Sequence, residues 1–124
     1  MSKAREKELK FNILMEIFAG PSFGIEFIKR LIQLEIIDPD TYEWLNKKNA
    51  ATDIAALLKY MYDSPGYLRR VKLSDLIFVS EYVFNVPLSM ITIKKATSKH
   101  KTASIKRNLK LFKSLGIQVY TKSH

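Results

Sequence analysis

Cysteine is absent from this chain, and no acidic side chain follows Glu81. The first absence rules out a disulfide framework and any thiolate metal site. It also fits a reducing compartment, so the cytoplasm, or a host cytoplasm for a viral protein, is the expected location. Glycine is scarce, with four residues in 124, and no glycine-rich phosphate loop occurs. Histidine stands only at His100 and His124, without paired carboxylates, a nucleophile or metal-ligand spacing nearby. No catalytic residues, metal site, cofactor or small-molecule ligand are therefore expected, and the chain does not read as an enzyme. No apolar run approaches the roughly 18 residues that span a bilayer, so no membrane partner is expected. The opening "MSKAREKELKFNILMEIF" places charge before apolar residues, but acids interrupt it and no small-residue cleavage site follows. It reads as an amphipathic helix rather than a signal peptide.

What is present is an ordinary apolar content, 47%, in a length that suits one domain over residues 1–124 with a genuine core. The charge is unevenly placed. Residues 1–62 hold nine basic and nine acidic side chains, so the whole +9 net charge arises from residues 63–124. After Glu81, nine lysines and arginines follow with no carboxylate among them. Such an imbalance, interleaved with core positions, points to a polyanion as partner.

Periodicity predicts a mainly α fold. Leu9, Ile13, Leu14, Ile17 and Phe18 fall at helical spacing over 3–19. "AGPS" at 19–22 breaks that helix, and Ser22 is placed to cap the next, whose stripe is Phe23, Phe27, Ile28, Leu31, Ile32 and Leu34. "DPDT" at 38–41 has the chemistry of a helix start, with Asp38 as cap and Pro39 at the first position. That helix would hold Tyr42, Trp44 and Leu45 and end near Asn49. Trp44 reads as core rather than as a base-stacking platform. Residues 51–62 read as a buried helix, and "DSPG" at 63–66 as a turn. For 74–85 a helix capped by Ser74 is favoured over a strand; Asn85 closes it, and Pro87 opens another helix reaching about residue 97. Thr102 then caps a helix in which Ile105, Leu109, Phe112 and Leu115 face inward, and Gly116 stops it in the left-handed conformation. "IQVYTK" alternates like a short strand.

On that last helix Lys106, Lys110 and Lys113 fall at i, i+4 and i+7. They form a row about 100° round from the expected apolar stripe. Like charges at this spacing mildly destabilise an isolated helix, which a polyanion would offset. Lys94, Lys95, Lys99, His100 and Lys101 precede the helix as phosphate-side donors. Thr102, Ser104, Arg107 and Asn108 have side chains suited to base edges.

Three stretches resemble helix-turn-helix DNA-binding proteins. "ATSKHKTASIKRNLKLFKSLGIQVYTK" is similar to the second half of a winged-helix domain, with its recognition helix and following wing strand. "LSDLIFVSEYVFNVPLSMI" resembles the fourth and fifth helices of lambda-repressor-like (XRE) regulators, and "ILMEIFAGPSFGIEFIKRL" the opening of PadR-type winged helices. In the repressor-like frame the helix-turn-helix would fall at 41–58, where Trp44, Leu45 and Asn49 fit poorly. The winged frame puts the recognition helix where the charge is. The resemblance implies a mainly α, compact multi-helix helix-turn-helix domain with a short C-terminal β wing. Its expected role is sequence-specific transcription regulation of phage, plasmid or other mobile-element type, on double-stranded DNA and as a homodimer. Residues 1–62 would be the dimerisation half and 63–124 the DNA-binding half. The rival class is a protein-interaction module, such as a phage-encoded inhibitor of an acidic host protein.

Overall fold

Apolar residues at helical spacing build helix α1 (Lys3–Met15), capped by the Ser2 hydroxyl, which accepts the Arg5 N–H at 3.2 Å. A computed structural model describes residues 2–96 and 102–117 of the chain. The first helix stops short of the expected residue 19. Beyond it the Ile17 carbonyl accepts the Arg69 backbone N–H, and the Phe18 carbonyl accepts Arg69 Nε, both at 2.9 Å. These bonds draw the chain into an antiparallel bridge, Phe18 to Leu68. Helix α2 (Pro21–Gln33) is preceded by Gly20 at the cap, not by Ser22. Pro21, with no N–H to lose, fits the first turn, and the cap moves two residues back with it. Gly24 is where α1 and α2 close on each other. A Cβ there would lie 2.5 Å from Met15 Sδ and 3.0 Å from the Phe18 ring.

The largest departure from the sequence reading is at 38–49. Asp38 does collect backbone N–H groups, from Asp40 at 2.8 Å and Thr41 at 3.0 Å, and these hold its carboxyl below the usual range. The helix is not propagated. Tyr42 turns left-handed (φ 64°), and the chain doubles back so that Ile37 and Trp44 form an antiparallel bridge. Trp44 N–H then reaches the Phe84 carbonyl at 3.0 Å, with the two rings edge-on at 5.8 Å. Burying Tyr42 and Trp44 on the same side is possible in this hairpin-like loop and outweighs the local helix signal.

Asn49 (φ 64°) leads into α3 (Ala50–Asp63), the central helix. Ala55 and Ala56 are buried alongside Ile54, Leu57, Leu58 and Met61, and small side chains let neighbours approach closely. Helix α4 (Leu73–Tyr82) resolves the helix-or-strand ambiguity of that segment in favour of helix. It begins one residue before the expected cap Ser74: the Asp75 carboxylate accepts the Lys72 N–H at 2.8 Å. It also ends before Asn85, which sits left-handed in the following loop (φ 56°). Pro87 lies in the irregular chain before the next helix, α5 (Met90–Lys94), which is capped by Ser89 and ends before residue 97. Helices α6 (Thr102–Arg107) and α7 (Leu109–Ser114) follow, and Gly116 (φ 73°) stops the pair as expected, with Ile117 N–H returning to the Phe112 carbonyl at 2.9 Å. The fold is mainly helical, with α3 packed against α5 and α6, α4 against α5, and α2 against α7. The wing segment 118–122 lies outside the described residues. No helix among the described residues is long and apolar enough to cross a membrane.

The α4–α5 connection hangs on a polar contact inside the core. Ser80 is fully buried; its hydroxyl donates to the Val86 carbonyl at 2.8 Å, and Val86 N–H donates to the Ser80 carbonyl at 3.0 Å. Ser80→Ala should lower the unfolding free energy by about 1–3 kcal/mol, because the buried Val86 carbonyl loses its side-chain donor. Urea unfolding followed by circular dichroism checks this. A loss under about 0.5 kcal/mol would mean that the carbonyl finds another donor.

Candidate nucleic-acid interface

Lys106, Lys110 and Lys113 are all exposed, as are Lys94 and Lys95 at the end of α5. None of these five has a carboxylate within ion-pair distance among the described residues, whereas the lysines at 10, 29, 47 and 59 do. These five lysines thus carry unneutralised charge among the described residues, whereas the basic side chains of the N-terminal half mostly sit in i, i+3 or i, i+4 pairs. Lys99, His100 and Lys101 lie outside the described residues, as does the side chain of Thr102.

The inward face of α6–α7 differs from the expected one. Among the described side chains Ser104, Asn108, Leu111 and Phe112 are buried, while Leu109 and Leu115 are half-buried; that of Ile105 lies outside them. Phe112 packs its ring 5.1 Å from that of Tyr60 on α3. The i→i−4 bonding continues across Asn108, from Asn108 N–H to the Ser104 carbonyl and from Phe112 N–H to the Asn108 carbonyl. On a helical wheel the observed face is turned by roughly 60 to 80° from the apolar stripe, which leaves the lysine row about 180° from the buried side. The row therefore projects straight outward.

Ser104, Arg107 and Asn108, whose side chains were expected at base edges, bond within the bundle instead. All three turn toward α3, where Asp53 occupies the first turn. Arg107 Nε donates to both Asp53 carboxylate oxygens at 3.0 and 3.1 Å, and Nη2 closes on Oδ1 at 2.8 Å. Nη2 also donates to Ser104 Oγ at 3.2 Å, and Asn108 Nδ2 donates to the Asp53 carbonyl at 3.0 Å. The hydrogen bond to Asp53 holds the Arg107 guanidinium above its ordinary range. Asp53 is the residue the sequence reading passed over. A single acid in the otherwise apolar "ATDIAALL" has to find a cation once buried, and that was the available signal.

Arg107→Ala should destabilise the fold by about 1–3 kcal/mol, since it strands the Asp53 carboxylate. The expected cost falls below that of a fully buried pair because the arginine side chain is 39% exposed. Thermal or urea unfolding measures it, and an unchanged midpoint would show that Asp53 is readily solvated.

Among the described residues no group of three or more His, Cys, Asp or Glu is placed to hold a metal ion. No family model, curated protein or solved structure matches this chain.

Proposed function

We propose that this chain is a small helical DNA-binding regulator of the helix-turn-helix class, of phage, plasmid or other mobile-element type, that lays α6–α7 against duplex DNA. The observation that carries the reading is the row Lys106, Lys110 and Lys113, exposed along one face with no carboxylate beside it among the described residues. Three ammonium groups at i, i+4 and i+7 repel one another in the free protein and gain most from a partner with regularly spaced anions. Lys94 and Lys95 add to the same positive half, and Lys99, His100 and Lys101 lie in the segment between. With Ser104, Arg107 and Asn108 facing α3, base selectivity would rest on the lysines, which can donate to guanine O6 and N7, and on Thr102. Homodimerisation on paired half-sites belongs to the same proposal.

A second reading, a protein-interaction module, is favoured by one feature. Ile91 on α5 is 68% exposed and Phe78 on α4 is 52% exposed, more than the apolar residues Leu9 and Ile25 of the N-terminal helices. One titration separates the two. Binding to random duplex DNA should weaken with salt, with log K falling against log salt at a slope of about −4 to −5, as expected for roughly five neutralised phosphates. No binding to any duplex at low salt would remove the DNA reading and promote the interaction module.

A further inference from the structure

Helix α6–α7 carries two faces that could each dock on the bundle. One is the apolar stripe of the sequence, Ile105, Leu109, Phe112 and Leu115. The other, the one in use, mixes Ser104 and Asn108 with Leu111 and Phe112. By apolar burial alone the stripe is the better choice, because two of the four buried positions among the described side chains are polar. What the observed face gains is Asp53. Its carboxylate is taken by Arg107, its carbonyl by Asn108, and Ser104 steadies the guanidinium from the same helix. Arg107 and Asn108 thus meet Asp53 directly, and Ser104 meets it through the guanidinium.

We propose that Asp53 is a positioning residue that fixes the rotational setting of α6–α7, rejecting the apolar register in favour of the one that points Lys106, Lys110 and Lys113 directly away from the bundle. A buried ion pair with its hydrogen bonds adds little net stability over well-packed apolar side chains, yet it penalises any register that leaves it unpaired. In the alternative register Arg107 and Asn108 would swing off α3, stranding the acid, and the lysine row would tilt toward the bundle surface. The consequence for DNA rests on the reading above, whereas the register itself does not.

The chain has no cysteine, so single introduced thiols report the register without interference. Leu111→Cys, at a buried position, and Leu109→Cys, at a half-buried one, are each placed in the native chain and in the variant Asp53→Leu/Arg107→Met/Asn108→Ser, and their rates with a small disulfide reagent are compared. In the native chain the thiol at 111 should react more slowly than that at 109. In the variant the order should invert, with position 111 speeding up and position 109 slowing by about tenfold each, as exposure is exchanged between them. An unchanged order overturns the proposal. Equal and fast reaction at both positions in a variant whose circular dichroism shows α1–α5 still folded also overturns it, because Asp53 would then anchor the helix without choosing its face. Should the triple variant fail to fold altogether, Asp53→Asn, which keeps the shape and removes the charge, carries the same comparison. There a shift of the 111-to-109 rate ratio toward inversion supports the proposal, and an unshifted ratio overturns it. Because the readout is thiol chemistry, failure of DNA binding leaves its outcome untouched.

Discussion

Trp44→Ala should remove about 3–5 kcal/mol of unfolding free energy and lower the thermal midpoint by more than about 10 °C. Trp44 is 3% exposed in a loop that has no regular secondary structure of its own. Trp44 itself holds that loop through three contacts: the bridge to Ile37, its N–H bond to the Phe84 carbonyl, and the edge-on contact of the two rings. Removing the indole deletes the third outright and opens a cavity at the seam between the 36–45 loop and the segment after α4. Trp44→Phe keeps an aromatic edge for Phe84 and should cost about 1–2 kcal/mol, chiefly through lost volume. Equilibrium unfolding in urea measures both. If Trp44→Ala changed stability by less than about 1 kcal/mol, Trp44 would be behaving as an exposed platform rather than as core.

Lys106→Gln/Lys110→Gln/Lys113→Gln should weaken binding to duplex DNA by a few hundred-fold at about 0.1 M salt and shallow the log–log salt slope by about 2.7 units. The figure follows from counterion release. Each neutralised phosphate contributes about 0.9 to the slope, and over the decade from 1 M to 0.1 M about the same amount to log K. Folding should be unaffected or slightly strengthened, since like charges at i, i+4 are removed from an exposed face and no ion pair among the described residues is broken. That contrast gives the test its force, because fluorescence anisotropy would read a large loss of binding in a protein whose unfolding midpoint has not dropped. A loss of less than about fivefold would place the DNA contact elsewhere or deny it altogether.

The two α6–α7 variant sets proposed above act on different links of the same chain of causes. Substituting the lysines removes charge from an orientation that is left intact, while substituting Asp53 leaves the charge and alters the orientation. If both weakened DNA binding but only the second changed the thiol pattern, the lysine row and its aim would be separately established.

How much of this was legible beforehand varies along the chain, for identifiable reasons. Helix α3 could be read directly, because a run such as "ATDIAALLKYMY" buries most of its circumference and needs no choice of face. The stop at Gly116 was equally readable, since the left-handed conformation costs glycine least. The lysine row was visible too, because charges at i, i+4 and i+7 share a side whatever the helix packs against. The segment at 38–49 misled for a physical reason. Asp38 makes the hydrogen bonds of a helix cap, and an Asx turn uses the same bonds. Only the burial of Tyr42 and Trp44, and the presence of the Phe84 carbonyl forty residues on, decides which of the two follows.

Composition and periodicity by themselves determined that this protein is mainly helical, that its positive charge gathers in the second half, and that three lysines line one side of the last helix. These are properties of spacing along a chain, and spacing is complete in the sequence. The tertiary structure alone decided which side of that helix is inside. Two faces compete there, one apolar and one half polar, and local pattern favours the apolar one. The choice turns on a carboxylate fifty-four positions away, at Asp53, whose burial demands a cation and whose carbonyl accepts one more donor. A long-range polar match of this kind leaves no periodic trace, because its energy resides in a distance that exists only after folding.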